Sequence, residues 1–336
     1  MASIDIVVEC SRGCIETVRI DARTPNPARV LVGLSPAAVA GVLGRLYAVC
    51  GAAQRACAEL TLAAAGGVSL AHDRHGRLAA AVAAEAVQEH LWRLWLDWPA
   101  LLGAMPARDA FTRWYGGIQS GAPDWPSQLL TTLEADWLGM PAAALAQFDE
   151  LAAFDRWHAS AATPVARLFG LLRAERAATP RVGLQARPAG TLDSPLETAS
   201  EHRWIASLQD AGRALEALLA ARVVSLLELL LGLCSDSLNM IDMAAASPAP
   251  GRGLGSVATA RGWLEHDATL ADGVVSAYLI HTPTERHFAA DGPFVAYLRG
   301  LPVEGAREAA RAASLWALAF DPCVSHAVAV VGGPDA

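Results

Sequence analysis

The run from Glu201 to Leu233 is the longest helical pattern in the sequence, about thirty residues. Its most apolar part, Val223 to Cys234, is twelve residues long and contains Glu228. Twelve residues fall short of the ~20 that span a bilayer. A chain built around such a segment must bury it, and the composition agrees with a helical core. The sequence is 53% hydrophobic, with many Ala and Leu and few Phe or Tyr, which favours helices over sheets. Its 336 residues suffice for one large hydrophobic core. A second long amphipathic pattern, Arg77 to Leu102, carries Leu91, Trp92, Leu94, Trp95 and Trp98 and reads as a core helix.

Charge and cysteine usage narrow the function classes. The net charge is −8, so nothing general favours nucleic acid as a partner. Every fixed positive charge is an arginine. Cys10, Cys14, Cys50, Cys57, Cys234 and Cys323 are spread too widely for a disulfide framework. The first residues lack the pattern of a signal peptide. The expectation is a cytoplasmic protein without membrane insertion, in a compartment where thiolates can serve as ligands.

The expected architecture is α+β, mainly α, in a single domain over 1–336. It comprises an N-terminal hairpin (3–21), a helical core (35–245), a β block (256–281) and a C-terminal helix with a metal motif (304–326). Ile4, Ile6 and Val8, then Ile15, Val18 and Ile20, alternate about Ser11-Arg12-Gly13 as a hairpin does. Thr24-Pro25-Asn26-Pro27 reads as a turn. Ser35-Pro36 opens a helix to Leu46, with Ser35 as its cap and Pro36 at its first position. A second helix runs from Ala52 to Ala65. Further helices are expected at 127–139 and 141–158, a loop at 177–200 and a Gly/Pro linker at 248–255. Strands are expected at 256–260, 263–270 and 274–280, the last two joined by Ala271-Asp272-Gly273, a strong hairpin signal. The helix at 304–318 leads into Phe320-Asp321-Pro322-Cys323-Val324-Ser325-His326, where Pro322 stops it and sets the direction of the thiol.

Three stretches carry the chemistry. They are Arg45-Leu46-Tyr47-Ala48-Val49-Cys50-Gly51-Ala52-Ala53-Gln54, Ala260 to His266, and Asp321-Pro322-Cys323 with His326. The first and last resemble the two metal-binding motifs of nickel–iron hydrogenase large subunits, Arg-x-Cys-Gly-x-Cys-x-x-x-His and Asp-Pro-Cys-x-x-Cys-x-x-His. Arg45 and Cys50 match the first motif; Asp321, Pro322 and Cys323 match the second. Ala260 to His266 resembles the family's Pro-Arg-Gly-x-Leu-x-His block, and Asp272-Gly273, Tyr278 and Pro283-Thr284 its downstream hairpin. Arg29 to Pro36 is similar to the segment before the first motif.

The departures are as informative. Tyr47 stands where the family has its first cysteine and Gln54 where it has a histidine. His326 replaces the second cysteine of the C-terminal motif and Ala329 its final histidine. The family's Arg-Ile-Glu-Gly-His segment has no counterpart before the first strand. In the family, nickel sits among four thiolates and iron shares two of them. Two thiolates cannot build that nickel site, so no nickel is expected. An Fe(CN)2(CO) unit brings three ligands of its own, and Cys50, Cys323 and, as a third donor, His326 could complete it. By the same resemblance Arg261 would sit beside a cyanide. Arg45, Asp321, Gln54 and Tyr47 would surround the metal, Glu265 could line the pocket, and His266 would hold the strand block. Cys50, at the start of a helix, would be favoured as a thiolate by the dipole.

The pattern resembles the HupK/HoxV group of hydrogenase maturation proteins, degenerate homologues of the large subunit. That resemblance implies a non-catalytic scaffold. It would hold the Fe(CN)2(CO) unit transiently and pass it to the apo large subunit. Its partners would be a maturation chaperone and an iron–sulfur assembly protein. The alternatives are a divergent hydrogenase with H2 activity and a metal-free subunit related to the quinone-site subunit of complex I. In the family a protease trims the C-terminus after nickel insertion; without nickel, the residues after His326 are expected to stay.

Overall fold

A computed structural model describes residues 2–23, 27–146, 148, 150–175, 202–235 and 241–332. Of the turn expected at 24–27, residues 24–26 lie outside the described residues and Pro27 opens a 3-10 turn (Pro27–Val30); the loop expected at 177–200 lies outside them too. Helices α1 (Pro36–Leu46), α2 (Gly51–Ala65), α3 (His72–Trp92), α4 (Ala214–Cys234) and α5 (Ala306–Phe320) carry the core and the site. Strands β1 (Ser3–Ser11), β2 (Cys14–Arg23) and β7 (Ser325–Val331) form one sheet, ordered β2-β1-β7. Strands β3 (Met243–Ala249), β4 (Arg252–Thr259), β5 (Gly262–Ala271) and β6 (Val274–His281) form an antiparallel meander. The fold is α+β and mainly α.

The apolar segment is longer than the twelve residues that sequence suggested. Helix α4 has 21 residues and a mean hydropathy of 2.1, long and apolar enough by length and composition to cross a membrane. Its surroundings are protein, and 15 of its residues are buried. It packs against α3, α5 and the helices Trp125–Thr132, Pro164–Ala174 and Arg203–Asp210. It also buries two charges that lipid would penalise, Glu216 beside Arg213 and Arg222 beside Asp321. The expected thirty-residue helix is broken at Ala211–Arg213, where Gly212 takes a left-handed φ of 72°.

Two turns decide hairpins as the sequence suggested. Arg12-Gly13 and Asp272-Gly273 each place both residues at positive φ, the two-residue turn that matches strand twist. The Gly/Pro linker expected at 248–255 is not a linker. Residues 243–259 form the β3–β4 hairpin, turning at Gly251 with φ 76°, so the helical core ends before 245. The glycines of β4 are there for contact, not freedom. A Cβ on Gly253 would lie 2.0 Å from the Thr61 carbonyl oxygen, and one on Gly255 2.3 Å from Thr61 Oγ1. Helix α2 therefore rests backbone-to-backbone on β4, and Cys57 Sγ donates to Gly255 O at 3.3 Å. Cys57 is thus a buried packing thiol.

The segment after Cys323 is built into the sheet. β7 pairs in parallel with β1 from Ser3↔Ser325 to Glu9↔Val331, beside the buried side chains of Ile4, Ile6 and Val8. Because the contact at β4 has no space for a methyl, Gly255→Ala should destabilise the protein by about 1–3 kcal/mol, the usual cost of overpacking. Chemical denaturation should show this, whereas Gly41→Ala, where a Cβ meets nothing within 4 Å, should cost little.

Candidate metal centre

The C-terminal motif is positioned by an abrupt helix end. Proline at 322 disfavours helical backbone at 321, and Asp321 instead takes a left-handed conformation (φ 53°, ψ 67°). Its amide still bonds to Ala317 O at 2.8 Å, and its carboxylate turns inward. Three guanidiniums from three elements meet it. Arg93 Nε donates to Oδ1 at 2.6 Å from a π-helical turn (Arg93–Asp97) that continues α3. Arg222 Nη1, on α4, lies 3.2 Å from Oδ2, an ion-pair distance without hydrogen-bond geometry. Arg261, in the β4–β5 turn, donates Nε to the Asp321 carbonyl at 2.8 Å and points Nη2 at Oδ1 at 3.4 Å. Arg261 Nη2 also donates to Glu89 at 2.5 Å, and Arg93 pairs with Asp97. Three arginines thus balance three carboxylates, Asp321, Glu89 and Asp97. Burial would raise the Asp321 carboxyl; Arg261, Arg93 and Arg222 overcome it and hold the group well below the usual carboxylate range.

Beside this cluster stand the two cysteines. Cys50 is the residue before the first turn of α2, and Cys323 follows Pro322. Both act electrostatically on Arg261 and both act on Tyr47, so the four side chains share one environment. The helix dipole does not decide the state of Cys50. Burial first, then the Cys323 sulfur, push its thiol up, and Arg261 acts in the opposite direction. The amides that open α2 are already occupied, since Ala52 N and Ala53 N donate to Glu85 at 2.7 and 3.0 Å. Burial raises Glu85 to about 7. Thr284 fixes Cys323 through two hydrogen bonds. Its hydroxyl donates to Cys323 Sγ at 3.3 Å and accepts the Cys323 N–H at 3.1 Å.

The remaining expected site residues divide. Gln54 is buried at the foot of a polar chain: His266 Nε2 lies 3.0 Å from Gln54 Oε1, and His266 Nδ1 lies 2.7 Å from the Tyr278 hydroxyl. His266 therefore ties the meander to α2, the structural role expected of it. Glu265 does not line the pocket; it alternates to the solvent face of β5 and pairs with Arg286 at 3.1 Å. Arg45 is exposed in the last turn of α1 and lines a separate groove with Arg55, Arg74 and Arg77. His326 is exposed on β7, and its charged neighbours are Arg93, Asp321 and Asp97. Among the described residues, no three His, Cys, Asp or Glu side chains converge to hold a metal ion. His326 thus does not join the thiols in one cluster.

No protein-family model matches the chain. It is 29% identical to the hydrogenase expression/formation protein HupK of Rhizobium leguminosarum bv. viciae, over 99% of this chain and 98% of that protein. It is 30% identical to the hydrogenase expression/formation protein HoxV of Cupriavidus necator, over 89% of each. The chain belongs to the HupK/HoxV family of hydrogenase expression/formation proteins. The nickel–iron–selenium hydrogenase of D. vulgaris Hildenborough matches in structure with a TM-score of 0.58 over 94% of each chain. At 12% identity this shows the fold alone, that of a hydrogenase large subunit.

In this HupK/HoxV chain, sequence reasoning gave no site role to Glu85, Glu89, Arg93, Arg222 or Thr284. Thr284 had a local signal. Thr282-Pro283-Thr284-Glu285 reads as a capping box, and Thr282 and Glu285 do close one. Arg222 had another, a lone cation in an apolar helix. Removing the Thr284 hydroxyl while keeping its shape, Thr284→Val, should cost about 1–2 kcal/mol in denaturation, and Thr284→Ser should restore most of it. Burial, then His281, lower His266 to about 3. The unfolded chain takes up that proton below about 6.5 and the folded protein does not, so this contribution to stability is lost as pH falls from 6.5 towards 3. From pH 7 to 5 the wild type should lose about 2 kcal/mol more than His266→Gln, measured by denaturant titration.

Proposed function

We propose that this chain serves hydrogenase maturation as a non-catalytic scaffold. It holds an Fe(CN)2(CO) unit transiently between Cys50 and Cys323 and passes it to the apo large subunit. The observation that carries the reading is the position of Arg261. It is a buried guanidinium acted on by both thiols and fixed by Asp321 and Glu89, with Nη1 outside those hydrogen bonds. Soft sulfur donors suit low-valent iron, and a held guanidinium suits the nitrogen of a cyanide. Tyr47 and Gln54 occupy positions where the resemblance calls for a thiolate and a histidine, which supports a binding site in place of a nickel-dependent catalyst. The relatives' names as expression/formation proteins point the same way.

Two protein thiolates suit a carrier that must also release. Burial keeps Cys50 protonated, so loading releases protons and weakens as pH falls. The partners in this reading are a maturation chaperone, an iron–sulfur assembly protein and the apo large subunit, met in the cytoplasm.

Infrared spectra and iron analysis of protein purified from a hydrogenase-producing cell test it. Cyanide and carbonyl bands with iron and without nickel are expected. Cys50→Ser and Cys323→Ser should each abolish them, because a neutral hydroxyl is a poor ligand here. Arg261→Ala is not the clean variant that sequence suggested, since it would strand Asp321 and Glu89 in the interior. Arg261→Lys keeps the charge and removes the fork. It should lower loading roughly 10–100-fold and shift the cyanide bands. Wild-type loading in both serine variants would sink the thiolate assignment, and unchanged cyanide bands in loaded Arg261→Lys would remove Arg261 from the site.

A further inference from the structure

Two clefts flank the loop that carries Cys50, and their charges are opposite. One, of about 320 Å3, contains Glu85, Glu89 and Gln88 along α3. The other, of about 370 Å3, lies among α1, α2 and α3 and contains Arg45, Arg55, Arg74 and Arg77. Ala52 lines both. The arginine groove has a lining of small residues, Gly41, Gly44 and Gly51 among them. That lining is close-packed: a Cβ on Gly51 would lie 2.7 Å from Gly44 O. Gly51 is the residue after Cys50, so whatever occupies the groove rests against the backbone of that thiol.

The charges there are only half balanced. Glu59 takes Arg55 Nε at 3.1 Å and Arg74 Nε at 2.7 Å, and Asp73 takes Arg77 Nη1 at 2.8 Å. Among the described residues, no acid pairs with Arg45. Four guanidiniums less two carboxylates leave +2 on a chain whose net charge is −8. Arg55 reaches Glu59 through Nε, which leaves its outer nitrogens outside that bond, and a planar fork suits a carboxylate better than a point charge does.

We propose that this groove docks an acidic segment of a partner protein, a short run of Asp and Glu carboxylates, and so sets that partner beside the Cys50 thiol. The identity of the partner as the acceptor of the iron unit rests on the function proposed above; the docking itself needs no metal. Nucleic acid is disfavoured because the rest of the chain repels a long polyanion.

Binding of fluorescein-labelled hexaglutamate to the full chain, read by anisotropy at low salt, is the test. Gly41→Glu places a competing carboxylate where a Cβ meets nothing within 4 Å, and Arg45→Glu reverses the unpaired charge. Each should weaken binding tenfold or more. Arg299→Glu, at an exposed site following the helix Pro293–Leu298, makes the same change in net charge as Arg45→Glu and should weaken it less than twofold. No binding, equal loss in Arg299→Glu, or tighter binding of labelled dT6 than of the peptide would overturn the proposal. The infrared bands of Arg45→Glu separate the two readings: normal bands with lost peptide binding are expected. Bands missing from wild type as well would count against the iron carrier and leave the peptide result standing.

Discussion

The Asp321 carboxylate needs its three guanidiniums, and each comes from a part of the chain that would otherwise have no reason to meet the others. Arg93 arrives from a π-helical turn, Arg222 from the most apolar helix, and Arg261 from the turn between two strands. An uncompensated buried charge costs several kcal/mol, so removing any one of these groups leaves the rest unpaired. This coupling locks the helical core, the meander and the C-terminal motif into one arrangement. The thiols are placed by it at second hand. Cys323 lies two residues beyond Asp321, and Arg261, bonded to Asp321, feels the charge of both sulfurs.

Electrostatics at the thiols follow from burial more than from secondary structure. A cysteine before a helix would ordinarily gain thiolate character from the dipole. Here Glu85 already occupies the first amides, and removal from water dominates the balance at Cys50. Arg261 favours the thiolate, but Asp321 and Glu89 neutralise it in the same cluster. The balance at Cys50 thus favours the neutral thiol, with Arg261 opposing burial.

Much of this was legible in residues with strong local signals. Pro36, Asp272-Gly273, Arg12-Gly13 and Pro322 each force a backbone choice, and the elements they punctuate came out where expected. Cys50, Arg261 and Cys323 were legible as one site only through motif resemblance, because no local pattern links positions so far apart. What escaped was set by tertiary contact. Gly253 and Gly255 read as a linker because composition does not distinguish a glycine needed for turning from one needed for close approach; here α2 lies on them. Arg93 and Glu89 sit on a helix whose tryptophans dominate its reading. Arg45 matched a motif, yet the end of α1 leaves it on the surface, in the groove.

The parallel pairing of β7 with β1 has a consequence for the order of assembly. It joins residues more than three hundred positions apart, and β7 begins two residues after Cys323. Contacts of such sequence separation bear the largest loop-closure entropy and form late. Cys50, between two adjacent helices, can be set in place by local contacts alone. An incompletely folded chain therefore presents only one of the two site thiols, which for the function proposed above would make a poor holder of the iron unit. The pair comes together only once β7 has closed on β1, so in the reading proposed above the fold itself would control when the site can accept its cargo.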